Sequence, residues 1–378
     1  MRPLLADLGR DFRGGQHQAL LLLKGLLSRG NTPQLIALRD SVLARRAADA
    51  GIPVHSVSPR LRRLSAARKI LRLVREKQID LVHANEPHAL TASWLARAHR
   101  AIPVLAARRV VFPLSSSPLS LSRYRSAAVI IAVSKFAAQS VVASGIPSGR
   151  VAVIYDGVEI PEKSSGEERE KTRGDFGIPE EAVCISYVAA YTSEKGHGLL
   201  LNAVAELRNE LRKAPPGRQP RDRTGPRRDC SLLLRGEGPA VPVIRRLAGR
   251  LQMEDRVQFV PPSTNIERVF AATDIFAFPS QGDALGTALL AAMAHGLPCV
   301  AIARGGVPEV IESGKTGLLV DSLDPRAFAD ALFRLVKNPE EAVRLGQSAR
   351  ESVAARFSAD RMVDETLRLY ERTVTRDL

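Results

Sequence analysis

The sequence predicts an α/β protein with two Rossmann-like, doubly wound domains that face a central cleft. In residues 1–158, short apolar runs alternate with longer helical patterns, and the alternation restarts after residue 178. Residues 159–178 are rich in Glu, Lys, Ser and Gly and lack an apolar period. Alternating strands and helices are typical of parallel sheets with helices on both faces. We therefore expect an N-terminal domain, a linker, and a C-terminal domain that ends at residue 358.

The N-terminal domain is predicted from short runs of Leu, Ile, Val and Ala between polar or turn-forming residues. Such runs indicate buried strands, and longer segments with leucines three or four residues apart indicate helices. The predicted strands span 4–8, 34–38, 81–84, 103–107, 129–133 and 151–155. The predicted helices span 16–29, 61–77, 87–100 and 135–144.

The C-terminal domain follows the same two patterns. Its predicted strands span 183–189, 231–235, 257–260, 275–278, 298–302 and 317–320. Its predicted helices span 199–212, 240–251, 266–272, 285–295, 307–313, 325–336 and 340–356. A last helix, in 359–378, is expected to cross back to the N-terminal domain. Residues 213–229 are packed with Pro, Gly and Arg, which predicts a surface loop.

The composition narrows the class of partner. The formal net charge is +15, which favours phosphorylated or polyanionic partners, although arginine on solvated surfaces explains it equally well. Aromatic residues make up only 4% of the chain and no nucleic-acid-binding motif is recognisable, so no nucleic acid is expected. The three cysteines form no C-x-x-C pair, so neither a disulfide framework nor a zinc site is indicated.

The cellular compartment of the protein is predicted from its N-terminal residues and from the length of its apolar segments. Asp7, Arg10, Asp11 and Arg13 interrupt any signal-peptide core, and the longest apolar runs are too short to span a membrane. We therefore expect a cytoplasmic protein.

A basic stretch, residues 60–77, carries leucines and valine at helical spacing. A basic amphipathic helix can contact anionic lipid at the inner face of the plasma membrane. The alternative, which we favour, is a surface helix that packs on the sheet with its arginines in water. In both cases the apolar face is expected to consist of Leu61, Leu64, Leu71 and Val74.

Three strand-to-helix turns carry candidate ligand-binding residues. The pair Gly14-Gly15 allows close approach of a ligand, and the helix that follows offers free N–H groups to a phosphate. Lys195 follows the strand 183–189 and can reach a phosphate as a point charge. Gly236 ends the strand 231–235. For each position an ordinary turn or a solvated lysine is an open alternative.

The most informative stretch is 278–320. It reads as a strand, a carboxylate loop, a helix, a strand, a glycine-pair turn, a helix and a strand, without interruption. The helix that starts near Leu285 is expected to point its N-terminus out of the carboxyl edge of the sheet, a favourable place for a diphosphate. Asp283 precedes that terminus, where it either hydrogen-bonds sugar hydroxyls or caps the helix.

These motifs, in this order and spacing, resemble the retaining glycosyltransferases of family 4, the group 1 class with the GT-B fold. The resemblance covers nearly the whole chain. Its segments are Gly14-Gly15, 80–84, 132–134, 156–158, 194–197, 236–239 and 283–320.

The resemblance implies a site for a UDP- or GDP-linked sugar. Lys195 would neutralise the diphosphate, main-chain N–H groups near Gly286 would bind the same phosphates, and Asp283 would contact the sugar as the first carboxylate of a Glu-x7-Glu signature. Arg109 stands near the position of a histidine that reaches the sugar. The implied catalytic residues are Asp283, Lys195 and Arg109. The implied donor-binding residues are Gly14, Gly15, Lys195, Gly236, Asp283, Leu285, Gly286, Thr287, Gly305 and Gly306.

Besides the histidine replaced near Arg109 and a glycine replaced by Ala284, the chain departs from the family pattern at three positions. The second signature glutamate, which binds ribose, is Ala291, and the first is shortened to Asp283. Ala190 replaces an arginine that precedes the phosphate lysine. An unreplaced charged hydrogen bond to ribose is worth about 1.5–3 kcal/mol.

The function expected is transfer of a hexose, with retention, from a nucleoside diphosphate sugar to a lipid-linked, polysaccharide or lipopolysaccharide acceptor. His83, Asn85 and Glu86 follow a strand end and are candidate acceptor-side groups, although local loop contacts explain them equally well. The sequence contains no Asp-x-Asp triplet, so we expect neither a metal nor a cofactor. The alternative is a homologue with a degenerate donor site that serves as a non-catalytic binding or scaffold protein.

Overall fold

A computed structural model describes residues 1–162, 165–213 and 229–375. The chain divides into two compact units: one holds Met1–Gly157 with the described residues from Phe357 onward, and the other holds Val158–Arg356. Each unit contains one parallel sheet with helices, which confirms the predicted α/β class. Most of the predicted surface loop, residues 214–228, lies outside the described residues.

The sheet of the first unit has the strand order β3-β2-β1-β4-β5-β6-β7, and all its described pairings are parallel. The order reverses between β1 and β4, and ligands of open α/β sheets bind at the carboxyl side of such a switch point. The strands are β1 Pro3–Asp7, β2 Gln34–Leu38, β3 Val54–Val57, β4 Leu81–Ala84, β5 Val104–Arg108, β6 Val129–Ala132 and β7 Val151–Val153.

The described helices of the first unit cover both faces of that sheet. They are α1 Gly14–Ser28, α2 Val42–Asp49, α3 Arg62–Arg75, α4 Pro87–Leu95, α5 Pro118–Arg125, α6 Lys135–Ala143 and, at the end of the chain, α15 Ala359–Thr375. Alternate residues of β1 belong to different cores: Leu4 packs with Ile70 of α3, and Leu5 packs with Leu23 of α1 and Met362 of α15. The strand is therefore buried on both sides, as its continuous apolar sequence predicts.

The sheet of the second unit has the order β10-β9-β8-β11-β12-β13, also with parallel pairings and a reversal between β8 and β11. Its strands are β8 Val183–Val188, β9 Cys230–Arg235, β10 Val257–Val260, β11 Ile275–Phe278, β12 Cys299–Ile302 and β13 Leu318–Val320. Its described helices are α7 Gly166–Asp175, α8 His197–Lys213, α9 Val241–Arg250, α10 Ile266–Ala272, α11 Thr287–Ala294, α12 Val307–Val310, α13 Pro325–Lys337 and α14 Pro339–Arg356.

The segment 159–178, predicted as a linker, contains the helix α7. Arg169 and Arg173 of this helix both pair with Asp274, at 2.5 and 3.0 Å. Arg173 also donates to the carbonyl oxygen of Ala182 at 2.6 Å. Tertiary ion pairs therefore hold α7, which has no apolar period in its sequence.

The basic helix α3 packs on the sheet through only part of the predicted apolar face, in which Leu71 and Val74 pack against the core as expected. Ala66, Ile70 and Leu73 are buried, whereas Leu61 and Leu64 are 60% and 47% exposed. The residues that face the sheet are those at positions i, i+4 and i+7, as in an ordinary amphipathic helix.

The last helix, α15, packs against α1 in the first unit. Arg29 reaches Asp364 with Nε and Oδ1 2.6 Å apart, and its Nη2 reaches Asp360 at 3.0 Å. A β-carbon on Gly25 would overlap the side chain of Val363, so the absence of a side chain at this position allows the two helices to approach closely.

Candidate functional site

Lys195 and Asp283 form an ion pair at the switch point of the second sheet. The Lys195 Nζ atom lies 2.7 and 2.9 Å from the two carboxylate oxygens of Asp283. Lys195 follows β8 and Asp283 follows β11, which are neighbours in the sheet. Both side chains are about one-fifth exposed, at 21% and 22%. A cation and a carboxylate, both accessible, therefore stand together where an α/β sheet binds ligands.

Main-chain contacts join the loops that carry this pair. The Gln281 amide donates to the carbonyl oxygen of Glu194 at 2.9 Å, and the Gly306 amide donates to that of Asp283 at 3.0 Å. Gly305 has a φ of 61°, and a β-carbon there would overlap the Asp283 carbonyl oxygen. The predicted glycine-pair turn thus packs directly against the carboxylate loop.

Gly236 joins a third loop to the cluster. Its φ is 156°, and a β-carbon there would overlap the carbonyl oxygen of Ala189, directly after β8. The Tyr191 amide donates to the carbonyl oxygen of Glu237 at 2.8 Å. The ends of β8 and β9 are therefore held together by backbone at the same edge.

The helix α11 begins beside Asp283. Gly286, at a φ of 94°, is the N-cap residue, Leu285 is buried, and Thr287 is the first helical residue. The first N–H groups of a helix have no partner within the helix, and the helix dipole favours an anion there. The predicted residues Leu285, Gly286 and Thr287 therefore lie where their amides can bind a phosphate.

Tyr187 supports Lys195 from inside the sheet, and the sequence analysis missed it. Its hydroxyl donates to the carbonyl oxygen of Lys195 at 2.9 Å, and its ring is fully buried. Burial, and then the charge of Asp283, raise the pKa of Tyr187, so the hydroxyl keeps its proton. The position of Tyr187 in an apolar strand could have indicated this role, because a buried hydroxyl needs a hydrogen-bond partner.

A buried polar network marks the switch point of the first sheet. Asn85 donates to Asp7 at 2.6 Å and to the carbonyl oxygen of Gly15 at 3.1 Å. Gln16 also donates to both carboxylate oxygens of Asp7, at 3.2 and 3.1 Å. Because β1 and β4 are neighbours, their polar ends meet. The network orients the Gly14-Gly15 turn.

Arg109 belongs to the same network. Its Nη1 donates to Asn85 at 2.6 Å, and its Nε donates to Asp156 at 3.1 Å. Asp156 is 6% exposed, and burial raises its pKa while Arg109 opposes that shift. The predicted catalytic residue Arg109 is thus fixed by two side chains, of which Asp156 carries the opposite charge.

We expect Arg109→Gln to destabilise the protein by about 3–5 kcal/mol, because it leaves the buried carboxylate of Asp156 without its cation. Urea denaturation measures this loss. The double variant Arg109→Gln/Asp156→Asn should recover most of the stability, because no buried charge remains. If the double variant is no more stable than the single one, the pair is not the cause.

All three predicted acceptor-side residues have structural partners, and those of Asn85 are Asp7, Gly15 and Arg109 in the network described above. His83 is 2% exposed, and its Nδ1 lies 2.5 Å from the hydroxyl of Tyr370 in α15. Burial, and then Arg109, lower its pKa to about 3. Glu86 caps α4 and accepts from the amides of His88 and Ala89 at 2.6 and 2.7 Å. His83 is therefore a core residue rather than a surface group, and Glu86 fixes a helix start.

Two further properties concern membranes and metals. None of the described helices is both long enough and apolar enough to cross a membrane. Within the described ranges, no three His, Cys, Asp or Glu side chains are grouped as ligands for a metal ion.

Two protein-family models match the chain. Residues 168–352 match the model of the glycosyl transferases group 1, and residues 12–161 match that of glycosyltransferase family 4. The chain belongs to the group 1, family 4 glycosyltransferases. This confirms the family that the sequence motifs indicate.

Curated glycosyltransferases are similar to parts of this one. The D-inositol 3-phosphate glycosyltransferase of Corynebacterium efficiens is 34% identical over 235 residues, which are 60% of this chain and 52% of that protein. The N-acetyl-alpha-D-glucosaminyl L-malate synthase of Bacillus anthracis is 31% identical over 196 residues, 52% of this chain and 47% of that protein. The chain spans about half the length of these curated relatives.

Solved glycosyltransferase structures share the fold over the whole chain. Anabaena HepE in complex with UDP and glucose has a TM-score of 0.80 at 21% identity, with coverage of 98% of this chain and 100% of that one. A glycosyltransferase from Rickettsia africae has a TM-score of 0.84 at 21% identity, with coverage of 100% and 99%. The fold of this glycosyltransferase is therefore GT-B, as predicted.

Proposed function

We propose that this glycosyltransferase transfers a hexose from a UDP- or GDP-linked sugar to a glycan or glycolipid acceptor. The single observation that carries the proposal is the Lys195–Asp283 pair beside the start of α11. The leaving diphosphate gains charge as the sugar departs, and a lysine with main-chain N–H groups can stabilise that charge. Asp283 is placed to accept hydrogen bonds from sugar hydroxyls.

The ion pair also implies that Lys195 changes its partner from Asp283 to the diphosphate when the donor binds. Lys195 already interacts with Asp283, so a bound diphosphate has to share or replace that carboxylate. The carboxylate is then available to the sugar. A donor that carries both groups satisfies both side chains, whereas a nucleoside diphosphate without its sugar leaves Asp283 without a partner.

We propose that the transfer proceeds with retention and needs no metal. Retention rests on membership of the family, and no separate nucleophile–base pair is recognisable among the described residues of the site. Metal independence rests on the positive charge that Lys195 and the helix start supply. The acceptor we propose is lipid-linked or a polysaccharide. The two curated relatives are named for inositol 3-phosphate and L-malate, and their names favour an acceptor with an anionic group.

A thermal-shift screen against UDP-, GDP- and ADP-sugars tests the proposal. A ligand at 100 times its dissociation constant stabilises a protein by about 2.7 kcal/mol, which such a screen detects. Release of nucleoside diphosphate from the stabilising sugar then measures turnover. Stabilisation without turnover over a broad acceptor panel would favour the non-catalytic alternative, which Ala291 motivates.

We expect Ala291→Glu to tighten donor binding about 10- to 100-fold, because it restores a charged hydrogen bond to ribose. Ala291 lies in α11 and is partly exposed. Ala291→Gln is the matched control, since it adds the same length without charge. Equal affinity of all three proteins would mean that ribose is held by another group.

A further inference from the structure

Three arginines surround His88 at the carboxyl edge of the first sheet. Arg62 of α3 places Nη2 2.8 Å from the His88 Nε2 atom, and Arg63 places Nε 3.0 Å from its Nδ1 atom. Arg123 of α5 lies close enough for its charge to act on the imidazole. We call these three arginines with His88 the arginine cluster. It belongs to neither of the two networks described above.

The contacts within the arginine cluster cannot all be satisfied. A neutral imidazole has one N–H and one acceptor nitrogen, so it can accept from only one of the two arginines that approach it. Burial, and then Arg62, Arg63 and Arg123, lower the pKa of His88, which keeps the ring neutral. One guanidinium N–H therefore points at a nitrogen that cannot accept it.

The arginine cluster also lacks a counter-charge. Over the ranges that the structure describes, none of the three arginines forms an ion pair with a carboxylate. Arg123 donates from Nη1 to Thr91 at 2.7 Å, and its buried Nε has no partner in the described part of the chain. Glu86 is committed to the main-chain amides of α4.

The position of the arginine cluster is fixed by the fold. Arg62 donates from Nη1 to the carbonyl oxygen of Leu8, directly after β1, at 3.0 Å. His88 lies in the first turn of α4, whose dipole adds positive potential. The cluster therefore stands at the same sheet edge as Asn85 and Arg109, on the acceptor side of the proposed reaction.

We infer that the arginine cluster binds a phosphomonoester carried by the acceptor. A phosphomonoester has a charge of about −1.5 to −2 and three acceptor oxygens, which match three guanidinium groups that lack a carboxylate. Planar guanidinium groups bind carboxylates and phosphates alike with paired N–H donors. The presence of three arginines favours phosphate, because its higher charge and third acceptor oxygen match a third cation. That the phosphate belongs to the acceptor rests on the proposed function, whereas phosphate binding itself does not.

Phosphate binding is measured on the full chain with isotope-labelled histidine, with His88→Gln to assign the His88 ring signal. Inorganic phosphate, titrated at constant ionic strength, should shift this signal saturably and raise the His88 pKa, because an anion stabilises the imidazolium. Arg63→Gln and Arg123→Gln should weaken binding at least about tenfold, as loss of a charged hydrogen bond predicts. The exposed neighbours in the same helices supply matched controls, Arg68→Gln and Arg125→Gln, which should bind like the wild type.

The results of these titrations distinguish phosphate binding by the arginine cluster from the proposed transfer of a sugar. Absence of a saturable His88 shift in the wild type, or equal affinity of Arg123→Gln and Arg125→Gln, overturns the arginine cluster as a phosphate site. Phosphate binding in a chain that turns over no nucleotide sugar refutes the proposed function alone.

Binding to lipid vesicles distinguishes a lipid-borne phosphomonoester from a soluble one. Binding to phosphatidic acid vesicles that competes with inorganic phosphate and is lost in Arg123→Gln assigns the site to a lipid-borne monoester. Binding of inorganic phosphate without vesicle binding assigns it to a soluble acceptor. Equal binding to phosphatidylglycerol and phosphatidic acid vesicles, insensitive to inorganic phosphate, overturns the inference in favour of a general anionic surface.

Discussion

Lys195→Gln is expected to lower kcat for nucleotide-sugar consumption about 10²- to 10³-fold, the loss typical of removing one group that stabilises charge in a transition state. The lysine stands 2.7 Å from Asp283 at the switch point of its sheet, where the leaving diphosphate of a donor would bind. Glutamine removes the charge and keeps an N–H donor on a side chain that is one atom shorter. Steady-state release of nucleoside diphosphate measures the effect.

The matched control is Lys315→Gln, an exposed lysine of the same unit whose partner among the described residues is Glu312. It should leave kcat unchanged. Thermal unfolding should show that both variants are folded, because both side chains of the pair are accessible to water, at 21% and 22% exposure. A Lys195→Gln enzyme with the kcat of the wild type would remove Lys195 from the mechanism.

Asp283→Asn is expected to lower turnover of the nucleotide sugar and to raise the affinity for free nucleoside diphosphate. Turnover of the nucleotide sugar should fall about 10- to 100-fold, because the sugar loses a charged hydrogen-bond acceptor. Free nucleoside diphosphate should bind about two- to fivefold more tightly, because Lys195 no longer has a competing carboxylate. Calorimetric titration gives the affinity and steady-state kinetics give the turnover.

The control for this variant is Asp330→Asn, on the exposed face of α13. It removes the same charge from the same unit and should change neither quantity. If Asp283→Asn weakens both ligands alike, Asp283 contributes to general donor binding, and the exchange between carboxylate and diphosphate does not occur.

The strands were predictable because the described central strands are buried on both faces. Continuous apolar runs such as those of β11 and β12 are visible without any tertiary information. The short edge strand β3, with the sequence Val-His-Ser-Val, carries no such signal and was missed. The helix α7 was missed for a different reason, since distant carboxylates rather than apolar residues hold it in place.

The site residues were predictable one by one, but not as pairs. Lys195 and Asp283 were each proposed from their motifs, yet their contact depends on β8 and β11 being neighbours, which crossover connections decide. Asp7 and Asn85 meet for the same reason in the other sheet. Because Lys195 and Asp283 are 88 residues apart in the sequence, no local sequence pattern indicates their contact.

Besides the Lys195–Asp283 ion pair, the loops at the carboxyl edge of the second sheet meet through carbonyl oxygens and amides. Gly236, Gly305 and Gly306 stand where another residue would collide with a neighbouring main chain. The fit between these loops is therefore independent of most of the side chains that project from them. An engineer who wishes to redirect the enzyme toward another sugar can exchange side chains other than Lys195 and Asp283 while keeping these glycines. A library built on that principle should contain many folded members.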